Sequence, residues 1–219
     1  MSVGAVVFDM DGVLVDSEHL WDQARRDLVA ETGGVWPQGA ETAMLGMSSK
    51  EWPVYVAEEL HVPLSPAEIN ADVVRRMRAG YERELPLLPG AVAAVERLAA
   101  AFPLGLASSS NREIIDLVLA ESGLHAHFTA TVSSEEVAAG KPSPDVYAAC
   151  VERLGADPAA CVAVEDSGNG IRSAAAAGLA VIALPNPQYP PGDDALALAA
   201  AVISSLEELT VERVRAPRG

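Results

Sequence analysis

The strongest constraint on what this chain can fold into is a rhythm: short, wholly apolar runs separated by segments with helical periodicity. The first run, residues 2–8 (SVGAVVF), stops abruptly at Asp9, and similar runs recur at 104–107, 130–132, 161–164, 180–183 and 201–203. Runs that are apolar throughout, rather than at alternate positions, predict strands covered on both faces. Helical patterns fill 90–101, 111–121, 144–154 and 168–177. Strands alternating with helices imply right-handed βαβ crossovers. The expected fold is therefore α/β, a Rossmann-like doubly wound parallel sheet with helices on both faces. Ligands of such sheets bind outside the carboxyl ends of the strands.

One stretch breaks the rhythm. Residues 16–86 hold helical patterns at 17–31, 48–60 and 65–83, with Gly and Pro at the joints and no strand candidate of comparable quality. Ser65-Pro66-Ala67-Glu68 supplies an N-cap, a proline at the first helical position and a capping-box glutamate. The expected organisation is a core of residues 1–15 and 87–219, with an all-helical cap, 16–86, inserted after the first strand.

Composition narrows the partners. The chain has 219 residues, half of them apolar, enough for a sizeable core. Its longest near-continuous apolar run, 195–203, falls far short of the roughly 20 residues that cross a bilayer. No membrane association is expected, and nothing at the N-terminus resembles a signal peptide. Cys150 and Cys161 have neither metal-ligand nor redox spacing, so a reducing, cytoplasmic setting is expected. A net charge of −16 excludes a general nucleic-acid binder. It also repels anionic substrates, so any phosphate site needs local positive charge from a metal, a lysine or helix N-termini. The two lysines are Lys50 and Lys141.

Polar residues collect where the apolar runs end. The first run ends in Asp9-Met10-Asp11-Gly12 and the second in Ser108-Ser109-Ser110-Asn111. Gly140-Lys141-Pro142-Ser143-Pro144 lies in a loop after the third, and the fourth ends in Glu165-Asp166-Ser167-Gly168. In a doubly wound sheet these points converge at one edge. Clustered carboxylates repel unless a hard cation such as Mg²⁺ lies among them. Lys141, the serines and the N–H groups opening the helix at Asn111 suit an anion's oxygens. Together they point to phosphoryl transfer, in which positioning and charge neutralisation supply most of the catalysis. Each signal alone has an ordinary reading as a turn, a cap or a solvated side chain. A calcium loop starting at Asp9 fails, because Val13 and Leu20 stand where ligands are required. Four such signals in order carry the functional reading.

Phe8-Asp9-Met10-Asp11-Gly12-Val13-Leu14-Val15-Asp16-Ser17-Glu18 resembles the first motif of the haloacid dehalogenase superfamily. Leu106–Ser110, Gly140–Asp145 and Val164–Ser167 resemble its second, third and fourth motifs. The branch with a small helical cap, which holds β-phosphoglucomutase and the sugar-phosphate phosphatases, is the most similar. The resemblance implies that Asp9 is a nucleophile forming an aspartyl-phosphate, and that Asp11 is the acid and then the base. It implies that Ser108 holds the phosphoryl group while Lys141 balances charge. It places Mg²⁺ on the Asp9 carboxylate, the Asp11 main-chain carbonyl and Asp166, with Glu165 beside them.

Asp11 also separates phosphate-ester chemistry from the family's dehalogenases and phosphonate hydrolases, which lack an aspartate two residues after the nucleophile. Mutases of this branch carry a histidine in the first cap helix, where this chain has Trp21. His19 lies about 200° around a helix from that position. A mutase cap arginine is likewise replaced around Ser49 and Lys50. The resemblance thus favours a phosphatase acting on a small phosphorylated metabolite, a sugar or polyol phosphate, over a phosphomutase. Trp21, Gly46, Ser49 and Lys50 of the cap, with Ser109, Ser110 and Asn111 below, are the expected substrate contacts. A non-enzymatic receiver domain shares the acidic cluster and lysine, but carries its phosphorylated aspartate on the third strand and lacks the helical insert. No sequence signal names the ester or sets the oligomeric state.

Overall fold

The computed structural model describes residues 3–217. Six strands form one parallel sheet in the order β3-β2-β1-β4-β5-β6. They are β1 (Ala5–Phe8), β2 (Leu104–Ser108), β3 (Phe128–Ser133), β4 (Cys161–Glu165), β5 (Ala180–Ala183) and β6 (Ala201–Val202). All six expected strands are present, with ends shifted by a few residues. The expected first strand begins only at Ala5, and Ser2 lies outside the described residues.

β1 pairs with β2 and β4, and all four of its side chains are fully buried. Burying a Val or Phe side chain contributes about 1.5–3 kcal/mol. Alternation sends them to opposite faces: Val6 and Phe8 join one apolar cluster, Ala5 and Val7 the other. Phe8 meets Phe128 of β3 edge-on, with ring centroids 6.1 Å apart. Helices α5 (Ala91–Ala99), α6 (Arg112–Glu121), α7 (Asp145–Leu154) and α8 (Gly168–Ala176) supply the crossovers. Short helices α9 (Asp193–Leu196) and α10 (Val211–Arg215) follow β5 and β6.

Between β1 and α5 the described residues form four helices and no strand: α1 (Glu18–Thr32), α2 (Ala40–Met44), α3 (Trp52–Glu58) and α4 (Pro66–Arg83). Ser65 opens α4 with the expected box. Its Oγ accepts from the Glu68 amide at 3.3 Å, while Glu68 accepts from the Ser65 amide at 2.9 Å. The helix expected over 48–60 is shorter. Ser48 donates to Glu51 through both its amide (2.9 Å) and its hydroxyl (2.6 Å), folding 48–51 into a turn before Trp52. α2 was not expected, since five residues are too few to show a helical period. The chain enters and leaves the helical segment side by side: Asp16 donates its amide to Pro86 at 2.8 Å and Val15 bridges Leu87.

Candidate active site

The sheet order reverses at β1, so the carboxyl ends of β1, β2 and β4 surround one crevice. Asp9 follows β1, Ser108 ends β2 with Ser109–Asn111 beyond it, and Asp166 follows β4. The chain turns sharply after Asp9, with the Leu14 amide donating to the Met10 carbonyl at 2.8 Å. Gly12 at φ +78° makes that turn possible, and a Cβ there would overlap the Asp166 carboxylate. Glycine thus brings the first acidic loop against the second.

Asp9 is buried, and Lys141 Nζ donates to its Oδ1 at 2.8 Å. The same ammonium donates to Glu165 Oε1 at 2.6 Å. Glu165 is fully buried and also accepts from the Tyr147 hydroxyl at 3.1 Å and from the Ser167 amide (3.0 Å) and hydroxyl (3.1 Å). Burial pushes the Asp9 pKa up to about 8. Lys141 opposes that rise, while Glu165 and Asp11 add to it. Burial, Glu165 and Asp9 likewise raise Asp166 well above the carboxylate range. Burial alone would lower Lys141, but Asp9 and Glu165 outweigh it and hold the ammonium protonated.

One lysine therefore faces three buried carboxylates. Oxygens of Asp9, Glu165 and Asp166 lie within 4.8 Å of one another, an all-oxygen set that fits a hard divalent cation such as Mg²⁺. Both Glu165 oxygens are already engaged by the lysine, the tyrosine and Ser167, which leaves Asp9 and Asp166 the freer donors.

The Asp11 carboxylate joins core and helical segment. Its Oδ1 accepts from Ser17 Oγ at 2.6 Å and Trp21 Nε1 at 3.2 Å. Its Oδ2 accepts from Ser110 Oγ at 2.7 Å and, at 3.4 Å, from Ser108 Oγ. Ser108 is fully buried, and its hydroxyl also accepts from the Ser110 amide at 3.0 Å. Ser109 Oγ is buried without a partner.

A cavity of about 270 Å³ opens above these groups. That is near the small end of ligand sites, which suits a metabolite. Asp9, Asp11, Lys141 and Asp166 line it from the core, with Ser109 and Ser110 beside them, and Trp21 and Gly46 from the helical segment. Three expected contacts lie elsewhere. Ser49 is buried against the core, its amide on the Ser109 carbonyl (3.2 Å) and its hydroxyl against Ser134 Oγ (3.1 Å). Lys50 donates to the Val137 carbonyl at 2.8 Å, and Asn111 to Asn70 and Glu135. They fasten the helical segment and the loops beneath it, because the 46–50 loop lies flat on the loops after β2 and β3. Gly140 makes room for it: a Cβ there would stand 2.6 Å from the Ser48 side chain.

The cavity also holds groups that sequence reasoning missed: Glu18, Arg25 and Trp52 from the helical segment, and Asn169, Asn186 and Tyr189 from the core. Glu18, Trp21 and Arg25 fall at i, i+3 and i+7 on α1, a stripe that could have been read from the first turns of the helix.

The model of the haloacid dehalogenase-like hydrolase family matches residues 3–178. Hexitol phosphatase B of Escherichia coli K12 is 36% identical over 214 residues, covering 95% of both chains. Fructose-1-phosphate phosphatase YqaB of the same organism is 30% identical over 177 residues, covering 80% of this chain and 92% of its own. The crystal structure of CbbY from Rhodobacter sphaeroides in complex with phosphate superposes with a TM-score of 0.87 at 26% identity, covering 97% of this chain and 99% of the other.

Proposed function

This chain belongs to the haloacid dehalogenase-like hydrolases, and from that premise we propose that it is a Mg²⁺-dependent phosphatase of sugar or polyol phosphates. The observation that carries the reading is the pair Asp9 and Asp11 on one wall of a small cavity, one held by Lys141 and the other by four hydroxyl and indole donors.

An Asp9 oxygen attacks phosphorus and the bond from phosphorus to the ester oxygen breaks. Asp11, entering protonated, gives its proton to that leaving oxygen. Water then attacks the aspartyl-phosphate and loses a proton to Asp11, releasing phosphate and restoring the Asp9 carboxylate. Ser109 and Ser110 border the cavity, where the Ser110 hydroxyl suits a phosphoryl oxygen, and the buried Ser108 hydroxyl orders the loop that carries them. Lys141, fixed by Glu165, neutralises charge on Asp9 and the phosphoryl group. Asp9, Asp166 and the Asp11 carbonyl would hold Mg²⁺, which when bound offsets the negative charge shared by nucleophile and phosphoryl group. The helical segment acts as the cap: it keeps bulk water from the first step and admits one for the second.

Hydrolysis is favoured over a mutase reaction by Trp21. Its indole donates to Asp11 and has no lone pair with which to take a proton. The sequence similarity to hexitol phosphatase B supports a polyol or sugar ester. A phosphate-release screen over sugar, polyol and nucleotide monophosphates with Mg²⁺ tests the reading. The expected result is turnover of sugar or polyol esters, lost by more than a thousandfold in Asp9→Asn while the folded signature persists. Retention of a tenth of the rate by Asp9→Asn would overturn the mechanism.

A further inference from the structure

Arg25 is 8% exposed and lines the cavity from α1. Its guanidinium lies 5.2 Å from the Trp21 ring centroid and 5.0 Å from that of Trp52, and the two rings meet at 60° with centroids 6.2 Å apart. Its Nε is buried with no hydrogen-bond partner, and no carboxylate lies within ion-pair distance of it among the described residues. The neighbouring cavity arginine, Arg172, is engaged by Asp194. Burial leaves the Nε donor unmet, which is costly, and no side chain or backbone group among the described residues engages the Nη nitrogens of a residue that lines the cavity. Cation–π contacts hold the group flat but satisfy none of those donors in the ring plane. The unmet donors call for a ligand.

Side chains on a helix lean toward its N-terminus. Arg25 runs back over Trp21 toward the end that Glu18 occupies, and Glu18 lines the same cavity. An acceptor-only anion placed on Arg25 would be pressed against the Glu18 carboxyl. A hydroxyl can accept from the guanidinium and donate to the carboxyl at once. Asn169, Asn186 and Tyr189, which also line the cavity, are neutral and equally suited to hydroxyls. Trp21 and Trp52 line the same cavity and supply apolar surface for the C–H side of a carbon chain.

We propose that Arg25 and Glu18 form the specificity site of this enzyme, reading a hydroxyl on a polyol or open sugar chain whose other end carries the phosphoryl group. This rests on the phosphatase reading, and it explains how a cap without the mutase loop arginine grips its substrate: the arginine comes from α1 instead.

The test reads binding, so that it stands apart from turnover. In an Asp9→Asn background with Mg²⁺, a hexitol 6-phosphate and hexyl phosphate, which has the same carbon count without hydroxyls, are titrated by calorimetry. The background should bind the hexitol ester at least tenfold more tightly. Arg25→Gln should remove that preference while changing hexyl phosphate affinity less than threefold, and Glu18→Gln should reduce the preference. The inference is overturned if Arg25→Gln keeps the preference or weakens both esters equally, the second outcome marking a merely structural arginine. It is also overturned if the background prefers a phosphate ester bearing a carboxylate, such as phosphoglycolate, over the hexitol ester. Should Arg25→Gln fail to fold, Arg25→Lys decides, since a compact ammonium cannot reproduce the fork. There, a loss of at least threefold in the preference supports the site and an unchanged preference overturns it. Failure of the phosphatase reading would appear separately, as no phosphate release by the unsubstituted enzyme.

Discussion

Glu18 shows how much a site changes the chemistry of an ordinary residue. Burial, reinforced by the charge of Asp11, raises its pKa from 4.5 to about 7, and Arg25 only partly opposes the rise. A carboxyl raised in the folded state favours folding while protonated. Its stabilising effect is complete below the unfolded pKa near 4.5 and is lost as pH rises through about 7. Glu18→Gln, which cannot ionise, should therefore lose less stability than the unsubstituted protein between about pH 5 and pH 8, as read from denaturant unfolding. Asp9 titrates in both proteins, so the difference isolates Glu18. Equal losses would show that its carboxyl is not buried as described. Asp9, Asp11, Lys141 and Asp166 could be found in the sequence because each follows or flanks an apolar run that must be a strand. Arg25 shares the Glu18–Trp21 stripe of α1, but its burial could not be read, because an arginine on a helix reads as solvated until Trp52, from a different helix, closes over it.

At the scale of elements, the rule of buried apolar runs located every strand, since a strand covered on both faces is mostly apolar and turns polar at its carboxyl end, as at Ser108 and Glu165. It failed for α2, whose five residues show no period, and for the loop at 186–192, whose prolines mark a turn without saying which cavity it borders. The 46–50 loop shows a further limit, although its Gly46 does line the cavity. Lys50 was expected to reach substrate, yet it donates to the Val137 carbonyl, because the loop docks on backbone of the loops after β2 and β3. These contacts act as a latch, so closure depends on Gly140 staying small. Gly140→Ala would place a methyl carbon 2.6 Å from Ser48 Cβ, closer than such contacts are made, and a tight 3.0 Å from Glu51 Oε2. The expected outcome is a fold of undiminished stability with the cap held off the core, and kcat/KM reduced about 10- to 100-fold, as follows a misplacement of about 1 Å. Steady-state kinetics beside thermal unfolding checks this. A variant with unchanged kinetics would mean that the docked arrangement is not the working one.

For the molecule as a whole, the governing fact is a net charge of −16 around a site built for an anion. The long-range field repels a phosphate ester, and only short-range groups reverse it: Lys141, the unpaired Arg25 and a cation among the buried carboxylates. Added monovalent salt screens the distant charges more than the buried ones, so moderate ionic strength should not depress substrate capture. The carboxylate cluster has a larger consequence. Asp9, Glu165 and Asp166 are buried together with one lysine, so burial drives Asp9 and Asp166 toward their protonated forms, and a bound divalent ion stabilises the folded state by letting them stand ionised. A ligand that binds only the folded state adds about 2.7 kcal/mol at a hundred times its Kd. For a chain of this size that is roughly a 5–10 °C rise in Tm. Mg²⁺ should therefore raise Tm by several degrees over protein in EDTA, in a saturable way, and Asp166→Asn should lower the Mg²⁺ affinity behind that rise. Activity should vanish in EDTA and return with Mg²⁺. Ca²⁺ should also raise Tm while inhibiting, because its longer bonds and looser coordination satisfy the charge but misplace Asp9. Full activity in EDTA, or a Tm indifferent to Mg²⁺, would mean that the buried carboxylates are balanced by some other group and that the metal assignment is wrong.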